Sequence, residues 1–327
     1  MALSGQFVSA HILHWQQQLT SPSYPHRRHW PENLFHHAPL ENAVAILRDG
    51  NLRSRNDPAN TRPKDVAAPG VIDAQTHAHE RVRLYFRPKT PTQWHIEGIR
   101  RGRECTYGAA THAPMLIMFA FDARMILVRP DVQFTNKNAQ LNPAVGESEA
   151  YFSDIPFSKV YSEGGTGGDR SMTDARCAEV LPSSPLPLEP CLRAIYLRFE
   201  PERDTLLYLL GDARNHWEKY CRVSDALKVF QKDYAFVQEL RLTADGVVFR
   251  LNPRHDRANI EVKIDVWDNI GQKVVDFFND SHAPYPAPPH DVWIWRQNLV
   301  DGPYLVEIQL EKCLAYRGVI EVGDSLF

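Results

Sequence analysis

The spacing of apolar and polar positions predicts a mixture of helices and strands in the first 200 residues. Helical spacing covers Gln6–Leu19 and Leu40–Asp49, and Gly50 follows the second segment as a helix-ending glycine. A polar connector covers Asn56–His79, and a glycine-rich loop covers Ser162–Met172. Alternating or continuous apolar runs predict strands at Asn33–His36, Val82–Phe86, Met115–Phe121, Met125–Val128, Ala178–Leu181 and Leu192–Phe199.

The pattern changes after about residue 200. Helical spacing predicts one more helix over Trp217–Phe236, and Asp245-Gly246 predicts the tight turn of a hairpin within Gln238–Asn252. Further strands are predicted at Ile260–Trp267, Val292–Trp295, Tyr304–Leu310 and Ala315–Val322. The expected fold class is therefore α+β. We expect one domain over residues 1–200 and a helix with a β-rich extension over residues 201–327, which could pack onto the first domain.

Composition narrows the class of protein. The 327 residues include 37 basic and 40 acidic side chains, and 43% are hydrophobic, which is typical of a folded globular protein. No apolar run approaches the ~18 residues of a transmembrane helix, and the N-terminus lacks the features of a secretory signal. The five cysteines form no C-x-x-C pair. We therefore expect a cytoplasmic protein with no membrane association, no disulfide framework and no metal.

The charge is unevenly distributed. The segment Arg81–Arg103 contains seven basic residues and one acidic residue, Glu97. Such a segment could bind an anionic polymer. It could equally form a solvated surface without a ligand.

Three places in the first 200 residues could carry chemistry. His36 and His37 end a predicted strand, Tyr85 lies within another, and Glu179 lies in an apolar strand directly after the glycine-rich loop. Packing alone would explain the histidines and the tyrosine. Glu179 is harder to explain structurally, because a carboxylate among Ala, Val and Leu needs a partner or a function.

The order His, Tyr, Glu resembles the H-Y-E arrangement of diphtheria-toxin-like ADP-ribosyltransferases. The surrounding sequence resembles the DarT family, toxins that ADP-ribosylate bases of single-stranded DNA. Five segments carry this resemblance in the family's order: Leu34–Asn42, Ile46–Asn56, His79–Pro91, Phe134–Ala139 and Arg176–Leu181. Ala38 and Pro39 depart from the family's Thr and His, and Glu80-Arg81-Val82-Arg83 departs from its Asp-Tyr-Val-Pro.

The resemblance implies an ADP-ribosyltransferase-like split mixed β core. It also implies transfer of ADP-ribose from NAD+ to guanine or thymine in single-stranded DNA, with release of nicotinamide. Glu179 would stabilise the reacting ribose, Arg62 would assist the base, and Tyr85 would stack on nicotinamide. The expected NAD+-binding residues, besides Tyr85, are His36, His37, Ala38, Ala45, Arg53 and Arg55.

The expected DNA contacts come from the basic segment and the glycine-rich loop. They comprise Arg81, Arg83, Arg100, Arg101, Arg103, Arg170 and Arg176. Trp94, Tyr107 and Tyr161 could stack on an unpaired base. The resemblance also implies a macrodomain antitoxin of the DarG type as partner.

Four other functions remain open on the sequence. The same residues serve transferases that modify a protein, and a related NAD-using fold acts on RNA 2′-phosphates. A binding module without catalysis is disfavoured because His36, Tyr85 and Glu179 are all present. A metal enzyme would need a third ligand beside His77 and His79, and none is obvious.

Overall fold

The computed structural model describes residues 2–66, 77–105, 108, 111–141, 143–253, 260–283, 292–293 and 298–326. The chain divides into two compact units. The first unit contains Met1–His95, Met118–Tyr196 and Asp225–Phe230, and the second contains Ile96–Ile117, Leu197–Ser224 and Gln231–Phe327.

The first unit contains a sheet and short helices. Its helices are α1 (Gly5–Gln18), α2 (Leu40–Asp49), α3 (Pro91–Ile96), α4 (Ala123–Leu127), α5 (Glu149–Ser153), α6 (Phe157–Val160) and α7 (Arg170–Ala175). Its strands are β1 (Asn33–Pro39), β2 (Asn51–Leu52), β3 (Leu84–Tyr85), β4 (Leu116–Asp122), β5 (Gln133–Phe134), β6 (Glu179–Leu181), β7 (Leu186–Pro187) and β8 (Leu192–Leu197). In the main sheet these strands run in the order β5-β6-β3-β1-β4-β8, while β2 pairs with β7.

Local sequence explains where the first elements begin and end. Ser4 Oγ accepts a hydrogen bond from Phe7 N at 3.2 Å and begins α1. Gly50 ends α2 at a φ of 71°, the left-handed conformation that glycine adopts without a Cβ clash. Six consecutive residues of β4, Leu116–Phe121, are buried, as expected of a continuously apolar strand inside a sheet.

Two predicted elements are wrong. The strand predicted at Met125–Val128 is part of helix α4, because Asp122 caps this segment by accepting from Arg124 N at 2.8 Å and Met125 N at 3.2 Å. The helix predicted over Trp217–Phe236 is replaced by shorter elements and irregular chain. Lys228 and Lys232 have φ values of 49° and 63°, which a right-handed helix excludes.

The second unit contains the β-rich region that the sequence predicts. Its remaining elements are α8 (Glu200–Leu210), α9 (Arg214–Trp217), β9 (Cys221–Val223), β10 (Val237–Thr243), β11 (Gly246–Leu251), β12 (Ile260–Trp267), β13 (Lys273–Ala283), β14 (Val292–Trp293), β15 (Pro303–Leu310), β16 (Cys313–Glu321) and β17 (Ser325–Leu326). They include two four-stranded sheets, ordered β14-β11-β10-β17 and β13-β12-β15-β16. The predicted hairpin is confirmed, with Thr243 opposite Gly246 at its turn.

Valine, isoleucine and leucine side chains from both of these sheets form the core of the second unit. The predicted α+β class is thus confirmed, with a sheet and helices in the first unit. No helix among the described residues is long and apolar enough to cross a bilayer.

Candidate active site

The strand register of the first unit brings the predicted catalytic residues together. Tyr85 on β3 lies opposite Phe35 on β1 and, on its other side, opposite Glu179 on β6. His36 directly follows Phe35 in β1. Residues from three distant parts of the sequence therefore lie on three neighbouring strands.

Glu179 is fully buried, and both of its carboxylate oxygens accept hydrogen bonds. Arg83 Nε donates to Oε2 at 2.7 Å and Arg83 Nη2 donates to Oε1 at 2.5 Å, while Ala139 N lies 3.4 Å from Oε1. Thr135 N donates to the backbone oxygen of Glu179 at 2.9 Å and fixes the strand next to this side chain. Burial acts to lower the pKa of Arg83, but the charge and hydrogen bonds of Glu179, together with Tyr85 and Cys177, raise it overall.

The two histidines lie beside this ion pair in their neutral form. His36 Nδ1 donates to the carbonyl oxygen of Arg83 at 3.0 Å. His37 stacks on Tyr85, with ring centroids 5.4 Å apart and planes at 7°. Burial lowers the pKa of His36 to about 4 and that of His37 to about 3. Burial also raises the pKa of Tyr85, so the phenol keeps its proton and can donate a hydrogen bond.

The arginines predicted to bind pyrophosphate or assist the base lie among carboxylates. Arg53 donates to Asp49 Oδ2 at 2.6 Å and to Asp57 Oδ2 at 3.2 Å. Arg55 and Arg62 both approach Asp65, and Arg62 Nε lies 3.6 Å from its Oδ2. The arginine that contacts Glu179 is thus Arg83, whereas the recorded ion pair of Arg62 is with Asp65.

Two smaller residues complete the predicted NAD+ set. Ala38 is buried near the end of β1, and Ala45 is half-buried on α2. Helix α2 follows β1 directly, so Ala38 lies on the strand that carries His36 and His37, and Ala45 lies on the helix that follows it.

Most basic side chains of the segment Arg81–Arg103 contact other groups of the protein. Among its seven basic residues, all of them described, Arg103 alone is exposed. Arg81 donates to Asp131 O at 2.7 Å, and Arg101 pairs with Glu104. A count of charges along the sequence therefore overstates the basic surface.

Arg87 and Arg100 are the clearest examples, since each is only 2% exposed. Arg87 donates to the backbone oxygen of Val160 at 3.2 Å and lies over the ring of Trp30. Arg100 lies over the ring of Tyr234, with its guanidinium carbon 3.8 Å from the ring centroid. A guanidinium in this position is not available to a DNA phosphate.

The glycine-rich loop is attached at both ends. Arg176 Nε donates to Ser162 Oγ at 3.1 Å and Arg176 Nη1 donates to Gly164 O at 2.9 Å. Glu163 pairs with Lys89 at 2.7 Å. Arg170, at the start of α7, is exposed. Arg176 therefore holds the loop in place, while Arg170 displays its charge to solvent.

The residues predicted to stack on a base differ in exposure. Trp94 is 43% exposed, whereas Tyr161 is buried at 1% and packs against Trp15. Tyr107 lies outside the described residues. Among the residues that the structure describes, no three His, Cys, Asp or Glu side chains are grouped so that they could hold a metal ion.

Sequence reasoning missed the contacts that position Glu179. Thr135, Asn138 and Ala139 all lie in the segment that resembles a DarT motif, but no role was expected for them. Arg83 was expected to bind DNA. It directly precedes β3, two residues before Tyr85, and no pattern in the sequence indicated its contact with Glu179.

A family model described as "DarT: ssDNA thymidine ADP-ribosyltransferase, DarT" matches residues 35–225, more than half of the chain. The chain belongs to the DarT family. It is therefore an NAD+-dependent ADP-ribosyltransferase that acts on single-stranded DNA, as the sequence predicts. The strands after residue 225 lie beyond this match.

Solved DarT structures match part of this chain at low sequence identity. Thermus sp. 2.9 DarT in complex with ADP-ribosylated ssDNA is 16% identical over 57% of this chain and 90% of that chain, with a TM-score of 0.47. Thermus sp. 2.9 DarT in complex with NAD+ is 14% identical over 59% and 96%, with a TM-score of 0.44. Thermosipho africanus DarTG in complex with ADP-ribose is 16% identical over 63% and 53%, with a TM-score of 0.44. No curated protein matches the chain.

Proposed function

We propose that this DarT enzyme transfers ADP-ribose to thymine in single-stranded DNA, with guanine as the alternative acceptor. The observation that carries the proposal is the placement of His36, Tyr85 and a fully buried Glu179 on adjacent strands. Thymine is preferred because the matching family model is named for thymidine.

In this proposal the strand residues bind and orient NAD+. His36 binds the ribose on the adenosine side, and the backbone of His37 and Ala38 binds the nicotinamide amide. Neutral imidazoles suit this task, because they hydrogen-bond to hydroxyl groups without adding charge. Tyr85 packs against the nicotinamide ring. Ala45 would lie beside the cofactor, and Arg53 and Arg55 would reach the pyrophosphate.

Glu179 acts on the reacting ribose. The bond between the ribose carbon and nicotinamide nitrogen breaks, nicotinamide leaves with the electron pair, and the sugar passes through an oxocarbenium-like state. A carboxylate beside the sugar stabilises this charge. A ring nitrogen of the base then bonds to the sugar carbon, and its proton passes to Glu179 as general base. Arg62 would assist the base.

The assignment of the DNA-contact residues is a proposal, and their side chains differ in how exposed they are. Arg103 and Arg170 are exposed and can meet phosphates directly. Arg81, Arg101 and Arg176 are engaged in protein contacts and would need to share their donors with DNA. An antitoxin of the DarG type is the partner expected of a DarT enzyme.

The test uses oligonucleotides that differ in one base. The protein is incubated with NAD+ and single-stranded oligonucleotides containing thymine or guanine as the one candidate acceptor, and products are identified by mass spectrometry. An ADP-ribose adduct on the thymine oligonucleotide is expected, and Glu179→Gln serves as the inactive control. An adduct on guanine alone would correct the acceptor base. An adduct found on protein alone, or full activity of Glu179→Gln, would contradict the proposal.

A further inference from the structure

Arg83 touches three parts of the site at once. Its guanidinium holds both oxygens of Glu179. Its Nη2 also donates to Asn138 Oδ1 at 3.2 Å, and its backbone oxygen accepts from His36 at 3.0 Å. One residue thus connects the imidazole of β1 to the carboxylate of β6.

The geometry of this contact constrains the carboxylate more than charge alone would. A guanidinium presents a rigid fork of donors, so two parallel hydrogen bonds fix the plane of the carboxylate as well as its position. A lysine would supply the charge but not the plane. The Glu179 side chain is 0% exposed, whereas the Arg83 side chain is 23% exposed.

Arg81, two positions before Arg83, has different partners. Arg81 donates to Asp131 O at 2.7 Å and to Ser183 Oγ at 3.1 Å, both of them structural contacts. Using Arg83 as a phosphate ligand would require it to release a buried carboxylate, which is strongly unfavourable.

We propose that Arg83 is a positioning residue for ADP-ribosyl transfer: it fixes the Glu179 carboxylate in the plane needed at the reacting sugar. Arg83 also ties that carboxylate to His36, so the two ends of the NAD+ site keep a fixed spacing. This inference rests on the proposed role of Glu179. It assigns a function to a position at which this chain departs from the family's proline.

The test compares Arg83→Gln and Arg83→Lys in steady-state transfer to an oligonucleotide. Loss of orientation at a reacting centre typically costs about 10²-fold in rate. We expect Arg83→Gln to lower kcat by about this factor while the KM for NAD+ stays close to that of the unchanged protein. Arg83→Lys should recover part of the loss, because it restores the charge but not the fork.

Arg193→Gln is the matched control. Arg193 also donates through two nitrogens to a carboxylate, with Nη2 2.7 Å from Asp122 Oδ2, and it lies in the same unit. This variant should keep the kcat of the unchanged protein. Thermal unfolding of all variants shows whether each is folded, and Arg83→Lys remains informative if Arg83→Gln is not.

The outcomes separate the two proposals. An inactive Glu179→Gln with an unchanged kcat in Arg83→Lys and Arg83→Gln would overturn the role of Arg83 and leave that of Glu179 intact. An active Glu179→Gln would overturn the role of Glu179 itself. A rise in the KM for NAD+ with unchanged kcat would show that Arg83 binds substrate instead of positioning the carboxylate.

Discussion

The ion pairs Arg83–Glu179 and Arg198–Glu202 both bury their glutamate, but they differ in almost every other respect. In the first unit, Arg83 pairs with Glu179 across neighbouring strands, 96 residues apart in sequence. In the second unit, Arg198 pairs with Glu202, four residues away, at the start of α8. Both glutamates are sealed from solvent, but Arg198 is 0% exposed and Arg83 is 23% exposed.

The second pair is enclosed by further protein contacts, although Arg198 Nη1 has no hydrogen-bond partner. Glu202 Oε2 accepts from Arg198 N at 3.1 Å, and Arg198 Nη2 donates to Pro114 O at 2.5 Å. The Arg198 guanidinium also lies over the ring of Phe236. Such a closed pair stabilises the start of a helix. The first pair is long-range and partly open, so it requires chain closure over many residues and leaves a charged group accessible. We infer from this difference that the second pair is structural and that the first has the proposed role in transfer.

The largest expected effect comes from breaking the closed pair. Glu202→Ala leaves Arg198 buried without its carboxylate, and loss of one buried partner typically costs about 3–5 kcal/mol. We expect the free energy of unfolding, measured with denaturant, to fall by this amount. The transfer rate per folded molecule should be unchanged. A folded, stable Glu202→Ala with reduced transfer would show that the two pairs do not differ as described.

Lowering the pH tests the same comparison, because the half-buried, neutral His36 and His37 lie beside the first pair. The folded-state pKa values of His36 and His37, about 4 and about 3, lie below the ordinary value of 6.5. The unfolded chain therefore takes up protons first as pH falls below about 6.5, and each histidine removes up to about 1.4 kcal/mol of stability per pH unit. His37→Asn should reduce this pH dependence between pH 7 and pH 5.

Hydrogen exchange shows which part of the protein is destabilised at low pH. Protection of β1 amides should fall between pH 7 and pH 5, after correction for intrinsic exchange, while protection of α8 amides changes less. An equal loss of protection in α8 would mean that acid acts on the whole chain and not on the histidine pair.

The smallest expected effect comes from replacing the closed pair by apolar residues. Replacing a buried ion pair by well-packed hydrophobic residues is often neutral or stabilising by about 1 kcal/mol or more. We therefore expect Arg198→Met with Glu202→Leu to unfold at about the denaturant concentration of the unchanged protein and to keep its transfer activity. A double variant with normal stability but lost activity would make this pair part of the catalytic machinery.

The sequence predicts which residues belong to the site better than it predicts how they are held. The order of His36, Tyr85 and Glu179 and the motifs around them point to one family, and the register confirms that their strands are neighbours. The contact between Arg83 and Glu179 was not predictable, because β3 has two residues and β6 has three. Strands this short carry too little alternation to define a register across so long a separation.

Local backbone chemistry explains the remaining differences. Apolar spacing alone did not reveal that Asp122 caps the helix that contains Met125. It also did not reveal that Lys228 and Lys232 have left-handed backbone conformations. Burial explains why the segment Arg81–Arg103 presents less positive charge to solvent than its sequence suggests. A sequence shows the number of charges, but only packing shows that Arg87 and Arg100 face protein groups and not solvent.

The order of the site residues along the sequence determines when each of them is synthesised. The ribosome synthesises His36 and Tyr85 first, and Glu179 follows 94 residues after Tyr85. At common elongation rates this interval lasts roughly 5–20 s. In the proposed mechanism, a nascent polypeptide that ends before residue 179 lacks the carboxylate that acts on the ribose, so it would not carry out transfer.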